Sequence, residues 1–103
     1  MSEFPSRDEF SNQLNTKFRV YFDAEQPTEV ELTEVSDVRE KPGYTAFSII
    51  FLVPTEIGVR QGLFKTEHDS LGAMELFYVP VGQSEKGLNF ESVFNYKITA
   101  SDG

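Results

Sequence analysis

Apolar and polar residues alternate along most of the chain with a period of two, the pattern of strands that bury one face. Phe18, Val20 and Phe22 alternate with Arg19 and Tyr21, and Val30 and Leu32 alternate with Glu29, Glu31 and Thr33. The phase slips at Glu34-Val35. A slip of one residue would turn the apolar set outward, so the pattern predicts a β-bulge there. Lys41-Pro42-Gly43-Tyr44 places Pro and then Gly at the centre of a turn, the order a type II turn needs. Residues 45–53 carry Phe47, Ile49, Phe51 and Val53 on one face and Ala46, Ser48, Ile50 and Leu52 on the other. Such a strand is expected to be central, its second face covered by the amino-terminal helix or by a partner protein.

Further strands are expected from Gln61 to near His68, over Met74–Val79, and from Leu88 to Ile98. Asp69-Ser70-Leu71-Gly72 and the polar stretch from Gly82 to Gly87 separate them as turns. Pro80 lacks a ladder donor, so its strand should end there or lie at an edge. In the last strand Leu88, Phe90, Phe94, Tyr96 and Ile98 alternate with Asn89, Glu91, Asn95 and Lys97. Ser92 and Val93 fall out of that pattern.

Only the start of the chain has a helical period. Ser6-Arg7-Asp8-Glu9 reads as a capping box, and its two acids sit at the positive end of a helix dipole. Phe10 and Leu14, four apart, share one face, so a short helix is predicted over about 6–15. Six strands from about 17 to 98 follow it. The expected fold is mainly β: an antiparallel six-stranded barrel or sandwich with one short N-terminal helix, forming a single domain over 1–103.

Composition narrows the chemistry. Seventeen acids against nine bases leave a net charge of −8, which disfavours a nucleic-acid partner. The chain has no cysteine and one histidine, so disulfides, thiolate metal sites and histidine clusters are excluded. No metal, cofactor or catalytic residue is expected. His68 is flanked by Glu67 and Asp69, which a strand would point to one side and the ring to the other, so the three do not read as a triad. A hydrogen-bonded role at a strand end is the expectation for it. Gly62, Gly72, Gly82 and Gly87 stand alone, without the setting of a phosphate loop. Met1-Ser2-Glu3-Phe4-Pro5 lacks the basic start of a secretory signal, and the longest apolar run, Ile49–Val53, is far short of the ~20 residues that cross a membrane. A cytoplasmic location away from membranes is expected.

Two surfaces are candidates for binding. Between Asp23 and Glu40 the acids face Arg39 alone as counter-charge. Glu29, Glu31 and Glu34 read either as a solvated hairpin or as a docking face for a basic partner. Ile50, Leu52 and Phe64 are the apolar candidates.

The carboxyl half then becomes specific. Phe47-Ser48-Ile49-Ile50-Phe51, Gln61-Gly62-Leu63-Phe64, His68-x-x-Leu71-Gly72, Leu76-Phe77-x-Val79-Pro80-Val81-Gly82 and Phe90-Glu91-Ser92-Val93-Phe94-Asn95 together resemble a family of small bacterial proteins of unknown function. That family's pattern is F-S-L-x-F, Q-G-x-Y/F, H-x-x-L-G, L-F-x-V-P-V-G and Y-E-A-V-F-N. Ile49, Phe64, Phe90 and Ser92 depart from it mildly. The motif residues Gln61, Gly62, His68, Gly72, Pro80 and Gly82 read as hairpin construction. The resemblance implies a context beside phage-tail or tail-collar-like genes. The expected function is a non-enzymatic structural or interaction domain, an adaptor or assembly component of a phage-tail-like particle, whose partner is a second copy or a particle component. The alternative is a small-ligand-binding β-barrel, with Tyr21, Tyr44, Phe77 and Tyr78 lining a cavity.

Overall fold

In the computed structural model, which describes residues 5–23, 25–58 and 60–97, the alternating segments close on one another. In chain order they are β1 (Lys17–Asp23), β2 (Gln26–Val35), β3 (Arg39–Lys41), β4 (Tyr44–Val53), β5 (Gly62–His68), β6 (Gly72–Ser84) and β7 (Gly87–Lys97). All neighbours are antiparallel and run β2-β1-β5-β6-β7-β4, with β4 returning to β2 to shut a six-stranded barrel. Closure decides between the two expected architectures in favour of the barrel. The short β3 continues the course of β2 along β4 after an interruption at 36–38. There Ser36 and Ser48 exchange bonds: the Ser36 N–H donates to the Ser48 carbonyl, and the Ser48 N–H to the Ser36 hydroxyl. Ile98, expected in the last strand, lies outside the described residues.

The register shifts where the sequence pattern slipped. Between Leu32 and Glu34 β2 holds one extra residue, Thr33, whose hydroxyl donates to the Ile50 carbonyl at 3.2 Å. Leu32 thereby opposes Phe51 and Val35 opposes Ile49, so both stay against the core. The Pro42-Gly43 turn forms as expected, with Gly43 at φ +92°. Of the two outcomes expected at Pro80, the edge is the one found. β6 does not end there; it runs on to Ser84, with a register shift between Pro80 and Gly82. Past Tyr78, however, β5 no longer pairs with β6, so Pro80 stands at a local sheet edge where a missing donor is tolerated. Gly82 likewise lies within the strand.

The barrel interior is aromatic. Phe18 meets Phe51 at 5.1 Å between ring centroids, and Tyr78 sits among Phe22, Phe51 and Phe90 at 5.5–6.4 Å. One polar pair is buried with them. The Thr66 hydroxyl donates to the Phe64 carbonyl at 3.3 Å, which leaves Tyr78 as donor to Thr66 at 2.7 Å. Burial holds the Tyr78 hydroxyl protonated by raising its pKa. The two ends of this pair are therefore unequal. Thr66→Val strands the tyrosine hydroxyl and is expected to cost about 1–3 kcal/mol, whereas Tyr78→Phe leaves Thr66 bonded and costs less. Urea unfolding of both variants checks the order; the reverse order would contradict the assigned donor.

The helix α1 (Arg7–Ser11) is shorter than the predicted 6–15. Its capping box forms: Ser6 Oγ accepts from the Glu9 N–H, and Glu9 Oε1 accepts from the Ser6 N–H at 2.7 Å. The helix stops because Asn12–Asn15 turn, with Asn15 at φ +68°, and the Asn15 N–H leaves to donate to the Leu32 carbonyl at 2.7 Å. Leu14 packs on the core from this turn. Phe10 is fully buried against Phe47 and Phe94, whose rings stack at 4.9 Å. Since Phe47 belongs to the inner row of β4, the helix plugs the barrel end. It does not lie over the outer row of Ala46, Ser48, Ile50 and Leu52, as one expectation had it.

Candidate functional site

β6 and β7 run together only in part. Their ladder extends from Ser84–Gly87 to Val79–Glu91, after which the described residues show no further pairs between them. Continuing the register would set Phe77 opposite Val93 and Glu75 opposite Asn95. At that place lies an open cleft of about 310 Å³, lined by Leu63, Glu75, Leu76, Phe77 and residues 92–95. Its rim is apolar. Leu63 and Phe77 are cross-strand partners, 57% and 49% exposed, and Val93 across the cleft is 50% exposed.

The wall of the cleft reverses the pattern of the rest of the barrel. Along β7 the inward residues are Leu88, Phe90 and Phe94, and the inward position between them is Ser92, only 2% exposed. Its hydroxyl has no hydrogen-bond partner among the described residues. The neighbouring outward position holds Val93. A hydroxyl inside and an isopropyl group outside is the opposite of what folding alone selects. Such local conflicts concentrate at functional sites.

The other short seam of the barrel is built differently. β1 and β5 pair only at Arg19–Glu67 and Val20–Thr66. Outer side chains bridge that seam: Arg19 reaches Glu67 and Asp69 at 3.7 and 3.1 Å, and the Tyr21 hydroxyl donates to Glu67. Lys65 adds a contact to Glu67 at 3.6 Å and lies over the Tyr21 ring. The β6–β7 cleft has no ion pair across it among the described residues.

Residues 5–94 match the model of a family described as a domain of unknown function, DUF6916. The chain belongs to the DUF6916 family. No curated protein and no solved structure matches it. The DUF6916 match takes in the helix plug, most of the barrel, and both walls of the cleft as far as Phe94.

Sequence-derived candidates fall elsewhere in this DUF6916 barrel. Phe64 is not an exposed residue: it turns inward onto Phe22 and Tyr78, and Leu63 beside it is the exposed one. Ile50 and Leu52 are half-buried on the outside of β4. Glu29, Glu31 and Leu52 do come together, in a second cleft of about 270 Å³ with Glu56, Lys17 and Lys86. Two lysines among the acids give that cleft both signs of charge. Glu34 lies past the bulge, opposite Ile50, and is not part of it. Of the four aromatics considered for a ligand cavity, only Tyr78 is inside; Phe77 and Tyr44 are exposed and Tyr21 faces the β1–β5 seam. Gly62 opens β5, with Gln61 just before it, and Gly72, at φ +86°, closes the turn opposite His68. No helix among the described residues is long and apolar enough to cross a membrane, and none of their His, Asp and Glu side chains cluster in threes suited to a metal.

His68 is buried, with its ring 4.2 Å from that of Phe18. Nδ1 accepts the N–H groups of Ser70 and Leu71 at 3.0 and 3.2 Å. The proton must then reside on Nε2, which donates to Thr16 Oγ1 at 3.0 Å, and Thr16 donates on to the Gln13 carbonyl. In this tautomer Nε2 has no lone pair with which to activate the Thr16 hydroxyl. The ring instead ties the β5–β6 turn to the segment that carries the helix plug.

Burial lowers the His68 pKa from 6.5; the Asp69 charge opposes this and Arg19 adds to it. With a folded value below the unfolded one, the unfolded chain takes the proton first. The stabilising contribution is complete above pH 6.5 and is lost as pH falls through the folded value. Thermal melts from pH 7.5 to 5.5 should therefore show falling stability. His68→Asn, which keeps an acceptor for the turn amides and does not titrate, should flatten that slope. An unchanged slope would contradict the assignment.

Proposed function

We propose that this DUF6916 domain is a non-enzymatic binding module that joins another protein at the β6–β7 cleft, as an adaptor or assembly component of a phage-tail-like particle formed in the cytoplasm. The observation that carries the reading is the inverted pair at the cleft wall. Ser92 is buried with an unpartnered hydroxyl while Val93 is exposed beside Phe77 and Leu63. Stability alone favours the opposite arrangement, so a binding role supplies the reason for it. The particle context rests on the resemblance of the segments from Phe47 to Asn95 to proteins found beside tail genes. The alternative, a small-ligand site, draws on the same cleft, whose 310 Å³ is at the lower end of ligand pockets. The cleft's apolar rim stands open to solvent, which suits a protein surface better than an enclosed small molecule.

Affinity capture from the native lysate, with the wild-type chain and Val93→Asp in parallel, tests the proposal. Val93 is half exposed, so the variant is expected to fold with a stability change within about 0.5 kcal/mol. Wild type should retain a structural protein of a tail-like particle, identified by mass spectrometry, and Val93→Asp should lose it. Equal retention by both, or retention of no particle component, would contradict the reading.

A further inference from the structure

We infer that the occupant of the β6–β7 cleft is an extended, basic segment of a different protein, added as a strand along the edge of β6. This rests on the binding role proposed above and names its ligand. β6 is paired to β5 from Gly72 to Tyr78, and over those residues no ladder to β7 exists among the described residues. Main-chain donors and acceptors on that side are directed into the cleft, where an added strand takes them up. A strand presents side chains at every second position, and the outward residues of β6 at the cleft are Glu75 and Phe77. Apolar side chains of the segment would rest on Phe77, Leu63 and Val93.

Charge selects the kind of segment. Glu75 lines the cleft and Glu91 stands where the two strands part, and neither has an ion pair among the described residues, while Lys65 opposite Glu75 is engaged with Glu67 at 3.6 Å. The chain as a whole carries −8. A Lys or Arg on the incoming strand beside Glu75 gains its carboxylate as a neighbour. A second copy of this chain would bring another −8 and another Glu75 to the same place, so self-association is disfavoured. The Ser92 hydroxyl supplies the second, independent indication of a ligand: it lies in the cleft wall, 2% exposed and unpartnered. Burying a hydroxyl without a partner is costly, and stability alone does not explain a serine at this inward position of the cleft wall.

The test is selection from a random decapeptide display library on the immobilised full chain, followed by fluorescence anisotropy with the enriched peptide. The expected peptides alternate apolar residues with Lys or Arg and bind more weakly as salt rises. Glu75→Lys should weaken binding about tenfold or more, and Val93→Asp should abolish it. Glu34→Lys, an exposed acid outside the cleft, should leave it unchanged; thermal melts establish that all three variants are folded. Peptides that require Val93 but carry no basic residue would overturn this inference and leave the proposed binding role standing. No enrichment, or binding that survives Val93→Asp, would overturn the inference as well, and the lysate capture then decides the binding role separately.

Discussion

Phe10→Ala should lower the melting temperature by about 12 °C or more. The ring is fully buried against Phe47 and Phe94, and truncation of a phenylalanine in such a site costs about 3–5 kcal/mol. For a domain of this size each kcal/mol is worth roughly 4–8 °C. The loss is greater than in an ordinary core position because α1 spans only Arg7–Ser11, too short to persist by itself. What remains to hold it is polar: the Ser6–Glu9 capping box, the bond from Arg7 Nε to the Ser36 carbonyl at 2.8 Å, and the contact of Arg7 with Asp37 at 3.5 Å. Chemical-shift changes in the variant should centre on Phe47 and Phe94 and spare Ile50 and Leu52. Changes centred on the outer face of β4 would mean that the helix is a cover and not a plug.

The second large effect is expected at a backbone contact. Gly87 begins β7 at φ +151°, and a Cβ there would stand 2.5 Å from the Val53 carbonyl oxygen and 3.4 Å from Leu52 Cδ1. The obstacle is the main chain of β4, paired with β7 at Val53–Leu88, so relief requires that the two strands separate at that end. Backbone strain and overpacking together should bring Gly87→Ala to roughly 2–6 kcal/mol of destabilisation. Gly43→Ala is the comparison. Its φ of +92° is also left-handed, yet nothing lies within 4 Å of the added methyl group, so only the strain of about 1 kcal/mol remains. Chemical unfolding of both variants separates the contact from the strain. Equal losses would show that the approach of Gly87 to Val53 does not matter.

The fold was legible wherever the inward residues are apolar. Phe18, Val20 and Phe22 on β1, and the row Phe47, Ile49, Phe51 and Val53 on β4, declare their face, and the slip at Glu34-Val35 declares the bulge that keeps Leu32 and Val35 on the core. β5 could not be read that way. Two of its inward residues, Thr66 and His68, are polar and bonded inside the barrel, so hydrophobicity gives no phase there and does not tell which of Leu63 and Phe64 faces outward. The helix end was misplaced because Phe10 and Leu14 both pack on the core although only Phe10 is helical. The cleft left one trace, Ser92 and Val93 out of step with their strand. That β6 parts from β7 beside them depends on pairing between strands, which no pattern within either strand records.

Residue-resolved amide hydrogen exchange of the isolated domain tests the open β6 edge most directly. Amides of β4 and β7 in their continuous ladder from Tyr44–Lys97 to Val53–Leu88 should exchange only through global unfolding. Those between Gly72 and Tyr78 that point away from β5 should exchange faster by about a hundredfold or more. Protection along that edge equal to the β4–β7 ladder would mean that β6 and β7 are closed to one another, with no edge for a partner strand.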